Sequence, residues 1–154
     1  MIRGLALVVG SALLACVVFA QDAPIRSATQ SETAIRALLQ QQVEAWNRHD
    51  LEGFMAGYWN SPELTFFSGG SETNGWKPTL DHYRKTYQSK GTEMGKLAMS
   101  DIQVVELGSA GAFVRGRWHL TMADGKTPHG LYTLVLRKFP EGWRIVHDHT
   151  SAAQ

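Results

Sequence analysis

The C-terminal half of the chain consists of four long segments in which apolar and polar residues alternate. They cover residues 93–107, 110–122, 129–138 and 142–151, and short turns such as Ala123-Asp124-Gly125 separate them. Alternation with a period of two is typical of strands that bury one face. Because the connections are short, the strands can pair only with their neighbours, which predicts an antiparallel meander.

The alternation also predicts which side chains face the core. In the second segment the core face is the more apolar set: Ala112, Val114, Gly116, Trp118 and Leu120. In the third segment it contains Tyr132, Leu134 and Leu136. In the last segment, GWRIVHDHTS, the bulky Trp143 and Ile145 are expected inside. Strict alternation then places His147 and His149 inside as well, and Asp148 outside.

Three helices are predicted upstream of the meander. Thr29 or Ser31 can cap the first, and Thr29 with Glu32 has capping-box spacing. Its apolar stripe is Ile35, Leu38, Leu39, Val43 and Trp46. Asp50 is interpreted as the cap of a short helix over 51–58 rather than as a base. A strand over 63–67 and a turn over 75–78 follow, and a third helix is expected from Thr79. Helices packed on one side of a bent antiparallel sheet form an α+β fold.

Residues 1–20 have the pattern of a secretory signal. Arg3 precedes an apolar run of about 15 residues, and the small Ala20 ends it. The run is shorter than the ~20 residues of a membrane span, so we expect cleavage after Ala20 and a periplasmic or secreted product. Residues 21–30 are then a flexible leader and 31–154 one domain. A retained anchor and a lipoprotein signal at Cys16 stay open as alternatives, although apolar residues follow Cys16.

Composition excludes several kinds of site. Cys16 is the one cysteine of the sequence, so a chain cleaved after Ala20 contains neither a disulfide nor a thiol nucleophile. Removing Arg3 from the 15 basic residues leaves 14 against 14 acidic residues. A near-neutral chain lacks the clustered positive charge that nucleic acids require, so no nucleic-acid partner is expected.

Four motifs resemble those of the nuclear transport factor 2-like superfamily: AWNRHDLEGFM, ELTFFSGG, GRWHL and above all GWRIVHDHTS. More closely, they are similar to its SnoaL-like bacterial members of unassigned function and to the association domain of calcium/calmodulin-dependent kinase. This resemblance implies a cone-shaped α+β domain whose strongly bent antiparallel sheet carries three N-terminal helices on its concave face. It also implies an internal cavity and a homodimer. The steroid-isomerase type of this superfamily uses an inward Asp base with a Tyr/Asp pair, and the core positions assigned above carry no Asp.

His147 and His149 are therefore the candidate catalytic and ligand-binding groups, since neutral imidazole exchanges protons near pH 6.5. Trp46, Tyr58, Trp118 and Tyr132 are the other candidate ligand contacts. No metal is predicted, because a tight site needs more than two ligands and His119 is expected outside. No cofactor is predicted either.

Two functions remain open from the sequence. The first is a secreted pocket protein that binds a small, largely apolar molecule, with histidine acid/base chemistry if a reaction occurs. The second is a non-catalytic dimerisation module in which both histidines, the tryptophans and the tyrosines are internal scaffolding. The basic outer row Arg115, Arg117 and His119 is expected to be solvated or paired across the dimer.

The signal prediction has a direct test. When the full chain is expressed in a bacterium that exports it, we expect the product to begin at Gln21, because signal peptidase cleaves after small residues such as Ala20. Intact mass and N-terminal sequencing of the secreted or periplasmic fraction measure this. A Cys16→Ser variant is the control. Loss of processing in that variant would indicate lipidation at Cys16 instead.

Overall fold

A computed structural model describes residues 28–153. The predicted signal segment and most of the predicted leader lie outside these residues. The elements are α1 (Gln30–Asn47), α2 (Leu51–Met55), β1 (Thr65–Ser68), β2 (Ser71–Asn74), α3 (Trp76–Tyr87), β3 (Lys96–Glu106), β4 (Gly111–Thr121), β5 (His129–Phe139) and β6 (Gly142–Ala152). This is the predicted α+β fold. No helix within 28–153 is both long and apolar enough to cross a membrane.

The strands form one curled, unclosed six-stranded sheet in the order β2-β1-β6-β5-β4-β3. The meander from β3 to β6 is antiparallel, as predicted. Two features of the other edge differ from the prediction. β1 pairs with β6 in parallel, and β2 turns back on β1 to form the edge strand. A helix-containing excursion joins β1 to the meander, so nothing in the local pattern of 63–67 indicates its distant partner.

α1 crosses the concave face of the sheet. Its cap is Thr29, whose hydroxyl accepts from the backbone N–H of Glu32 at 3.0 Å, as the capping-box spacing predicts. Ile35, Leu39 and Trp46 of the predicted stripe are buried. Burying each large apolar side chain contributes about 1.5–3 kcal/mol, which favours packing this face on the sheet. Polar contacts set the position of the helix end: the Trp46 indole N–H donates to the Gly95 carbonyl at 3.2 Å.

The two shorter helices differ in how well the sequence predicts them. Asp50 caps α2, with its carboxylate accepting from the Gly53 N–H at 2.8 Å, which confirms its role as a cap. α3 begins at Trp76 rather than Thr79. Pro78 suggested a turn, but proline is tolerated in the first turn of a helix, where its missing N–H has no helical partner.

The face assignments of β4 and β5 are correct, since Ala112, Val114, Tyr132, Leu134 and Leu136 are all buried. These residues pack with the helices into one core. Between them, the curled sheet and the three helices leave an internal space that is described below.

In β6 the predicted alternation fails at one residue. Leu136 pairs with Ile145 and Val135 pairs with His147, so Val146 is an extra residue, a β-bulge. A bulge of one residue exchanges the two faces of everything beyond it. Trp143 and Ile145 are buried as predicted, but past Val146 the buried residue is Asp148. The prediction that His147 and His149 face inward and Asp148 outward is therefore wrong.

Candidate functional site

A cavity of about 230 Å³ lies between the concave face of the sheet and the helices. Aromatic rings from several elements form much of its wall. Trp46 comes from α1, Tyr58 from the segment after α2, Trp118 from β4 and Tyr132 from β5, so the structure brings together four of the six predicted ligand contacts. Whether they bind a ligand stays a prediction. Within residues 28–153, neither His147 nor His149 is among the residues that line this cavity.

The polar centre of the cavity is the carboxyl group of Asp148. Its side chain is 4% exposed, and the Tyr58 hydroxyl donates to its Oδ2 at 2.7 Å. Backbone contacts hold Tyr58 in place: the Trp59 N–H donates to the Ile145 carbonyl at 2.8 Å, and the Ile145 N–H donates to the Gly57 carbonyl at 3.0 Å. β6 therefore positions both partners, one as its own side chain and one through a short parallel bridge.

Burial changes the acidity of these groups. Desolvation raises the pKa of Asp148 from its ordinary value of 3.8 to about 7, although the hydrogen bond from Tyr58 acts in the opposite direction. Burial and the neighbouring Asp148 also raise the pKa values of Tyr58 and Tyr83 well above 10.0. Near pH 7 the carboxyl group thus changes charge while the tyrosines around it stay neutral.

Two polar atoms of the cavity wall, Asp148 Oδ1 and the Tyr132 hydroxyl oxygen, are buried. Neither has a hydrogen-bond partner among the residues that the structure describes. Burial, followed by the Asp148 charge, raises the pKa of Tyr132 to about 12. Gly116 faces Tyr132 across the β4–β5 pair, and a Cβ there would lie 2.4 Å from the tyrosine hydroxyl. The absence of a side chain at Gly116 therefore leaves room for this hydroxyl.

The two predicted histidines lie on the other face of β6. His147 Nδ1 is 2.6 Å from the Thr65 hydroxyl oxygen, and the Phe67 ring packs edge-on to His147 at 4.9 Å. Partial burial and the nearby His149 lower the pKa of His147. His149 is exposed beside Phe67. The physical reason for the wrong orientation is the bulge at Val146, which places both imidazoles on the convex side of the sheet.

Other predicted groups lie away from the cavity. Arg115 and Arg117 are exposed on the convex face, where Arg117 pairs with Asp101 at 3.1 Å. Trp59, the residue after Tyr58, stacks on Phe139 at 5.4 Å. No group of three or more His, Cys, Asp or Glu side chains that could hold a metal ion occurs within 28–153.

The model of the SnoaL-like domain family matches residues 35–154, which is most of the chain. The chain belongs to the SnoaL-like domain family. This confirms the resemblance seen in the sequence motifs. A search of curated proteins gives no match.

Solved structures with this SnoaL-like fold include several of unknown function. An NTF-2 like protein of unknown function from Shewanella oneidensis is 40% identical, with a TM-score of 0.72 over 77% of this chain and 97% of that chain. A putative calcium/calmodulin-dependent protein kinase type II association domain from Thiobacillus denitrificans is 20% identical, with a TM-score of 0.66 over 77% and 94% of the two chains. A ketosteroid isomerase-like protein from Erwinia carotovora is 23% identical, with a TM-score of 0.64 over 82% and 99%. The last two show the fold alone.

Asp148 is the site residue that strict alternation missed. The adjacent apolar residues Ile145 and Val146 do not identify the bulge, because Phe113 and Val114 are adjacent as well and pair with β5 in a regular register. Tyr83, on the buried side of α3, is a second residue of the cavity wall that the sequence pattern did not identify.

The raised pKa of Asp148 predicts how stability depends on pH. Between about pH 4 and pH 7 the unfolded chain has released this proton and the folded chain keeps it, so the free energy of unfolding falls as pH rises. The slope is at most about 1.4 kcal/mol per pH unit. Urea unfolding of wild type and Asp148→Asn over this range measures it. The contribution should be absent in the variant, so parallel profiles of the two proteins would contradict this assignment.

Proposed function

We propose that the protein binds a small, largely apolar molecule in the aromatic cavity, with Asp148 and Tyr132 as its polar contacts. The observation that carries this proposal is the buried Asp148 carboxyl, which faces the cavity with Oδ1 unpaired within the described part of the chain. An apolar wall with a few convergent polar groups is the usual composition of a small-molecule site.

Energetics favour a binding role over a purely structural one. A buried polar group without a partner costs about 1–3 kcal/mol. Burying the Asp148 carboxyl group also costs desolvation free energy, and an apolar side chain would fill the same position without this cost. A bound molecule that hydrogen-bonds Oδ1 and the Tyr132 hydroxyl would recover part of that cost, which gives these two groups a reason to face an open space.

The size of the cavity limits the ligand. A dry protein cavity on the order of 150 Å³ takes up benzene. The space here, about 230 Å³, therefore fits one aromatic ring with a short chain, or an aliphatic molecule of similar size.

In any proton transfer within the cavity, we assign the role of acid or base to Asp148 instead of a histidine. Its pKa of about 7 suits exchange at neutral pH, whereas His147 and His149 are on the other face of the sheet. We also propose that the protein acts outside the cytoplasm, as a periplasmic or secreted domain, on the basis of the signal pattern in residues 1–20.

Blocking the cavity should abolish binding. Ser68 lines the cavity, and Ser71, its partner across the β1–β2 turn, does not. We expect Ser68→Trp to weaken binding of a neutral probe, 2-phenylethanol, at least about tenfold, because the indole occupies the space of the ligand. Ser71→Trp is the matched control and should bind as wild type does. Calorimetry or ligand-induced thermal stabilisation measures the difference.

Variants at the histidines complete this test. His147→Ala and His149→Ala should bind 2-phenylethanol with wild-type affinity, because both imidazoles lie outside the cavity wall. A loss of binding in a variant that stays folded would mean that the histidine contributes to ligand binding, and it would contradict the assignment of Asp148 as the polar contact of the ligand.

The second candidate, a dimerising module, is favoured by an apolar row on the convex face of the sheet. Val105, Phe113 and Val135 pair across β3, β4 and β5, and Val105 is 46% exposed. Leu131 on the same face is 51% exposed. Exposed apolar patches commonly mark protein interfaces. The fold neighbour from Thiobacillus denitrificans is described as a putative association domain. Binding in the cavity and pairing through the opposite face are compatible.

This interface predicts a dimer at low micromolar concentration. Leu131→Lys should convert it to a monomer, because an ammonium group would be buried against the partner beside the like charge of Arg117, its cross-strand neighbour. Leu107→Lys is the matched control, since Leu107 is also exposed but lies beyond the end of β3. Sedimentation equilibrium distinguishes the two forms. A wild-type protein that sediments as a monomer would exclude the assembly role.

A further inference from the structure

We propose that the cavity takes a small organic amine in its cationic form, with the ammonium group on Asp148 and the rest of the molecule among the aromatic rings. This inference rests on the proposed function, because it names the chemical class of the molecule that the cavity binds.

The charge of the wall is the first argument. Asp148 is the one acidic residue that lines the cavity, and within residues 28–153 no lysine or arginine lines it. The other titratable groups of the wall are the tyrosines and His82, and burial raises the pKa values of Tyr58, Tyr83, Tyr87 and Tyr132, which keeps them neutral. When His82 is neutral, an ionised Asp148 therefore gives the cavity a negative charge, which attracts a cation and repels an anion.

The direction of the hydrogen bonds in the cavity also favours a cation. Tyr58 donates its proton to Oδ2 of Asp148, so the other oxygen, Oδ1, is left as an acceptor with no partner in the described part of the chain. The open hydroxyl oxygen of Tyr132 can accept as well. An ammonium group has only donors, and it can satisfy both atoms at once. A ketone has only acceptors, so it could accept from the Tyr132 hydroxyl but could form a hydrogen bond with Asp148 only if the carboxyl group were protonated.

The aromatic wall is the third argument. The Phe54 ring lies 5.3 Å from Trp46 and 5.2 Å from Tyr83, and Trp118 and Tyr132 complete the wall on the sheet side. The faces of such rings attract cations, and sites for organic ammonium ions are built from them. Aromatic rings also accommodate the apolar part of an amine, so one wall serves both ends of the ligand.

A neutral ligand is the competing possibility, and pH separates the two. An amine requires the Asp148 carboxylate, so its affinity rises with pH as this group loses its proton, near pH 7. Between pH 6 and pH 8 the ionised fraction rises about tenfold, and the apparent affinity rises by the same factor. A ketone or alcohol held by the protonated carboxyl group would follow the opposite trend.

The experiment uses three probes that share a phenyl ring on a two-carbon chain: 2-phenylethylamine, 2-phenylethanol and phenylacetate. Calorimetry of the folded protein at pH 6 and pH 8 gives their affinities. At pH 8 we expect the amine to bind at least about tenfold more tightly than the alcohol, and phenylacetate not to bind. The amine should also gain about tenfold between pH 6 and pH 8.

Two variants assign this preference to the atoms named above. Asp148→Asn keeps the shape of the side chain and should lose both the preference for the amine over the alcohol and its pH dependence. Tyr132→Phe should weaken the amine more than the alcohol. Asp81→Asn, on the exposed side of α3, is the control and should behave as wild type does. Circular dichroism confirms that each variant is folded.

The outcomes distinguish a failure of the amine inference from a failure of the proposed function. If 2-phenylethanol binds, Ser68→Trp blocks it and the amine is no tighter, the amine inference is wrong and the proposed function stands. If the amine binds equally well to wild type and Asp148→Asn, the inference is also wrong. If none of the three probes binds to wild-type protein, the proposed function itself is contradicted.

Discussion

One extra residue in the last strand determines which side chains reach the interior. Before Val146, the strand places Trp143 and Ile145 against the helices, as a regular strand would. After it, the inward position belongs to Asp148 and the imidazoles turn to the convex face. Without the bulge, two histidines would enter an aromatic cavity and the carboxylate would be solvated. The chemistry of the site thus follows from a backbone irregularity more than from the presence of particular residue types.

The same aromatic rings serve the core and the cavity. Trp46 packs edge-on to Phe54, Tyr83 and Tyr87, and such pairs contribute about 0.5–1.5 kcal/mol beyond their buried area. The contacts of Trp46 with Tyr83 and Tyr87 join α1 to α3, and all of these rings line the cavity. The stability of this cluster offsets the cost of the Asp148 carboxyl and the open Tyr132 hydroxyl nearby. Stabilising contacts that surround destabilising groups are typical of functional sites.

Local signals explain why most of the fold could be predicted from the sequence. The caps of α1 and α2, the short turns of the meander and the inner faces of β4 and β5 each depend on residues close together in the chain. The parallel pairing of β1 with β6 depends on residues that are far apart in the chain. The start of α3 was misplaced because the geometry of Pro78 suits both a turn and the first turn of a helix. Trp46, Tyr58, Trp118 and Tyr132 line the cavity, and their contact with a ligand stays a prediction. Asp148 was missed because strict alternation cannot accommodate an extra residue.

The Tyr58–Asp148 hydrogen bond joins residues 90 positions apart, and the β1–β6 pair closes a similar loop. Closing such loops costs entropy before any contact compensates it, whereas the hairpins of the meander close over a few residues. We expect the sheet from β3 to β6 to form early in folding and the helical segment to dock on it late. The cavity would then exist only in the fully folded chain, and a molecule that occupies it would act on the last step of folding.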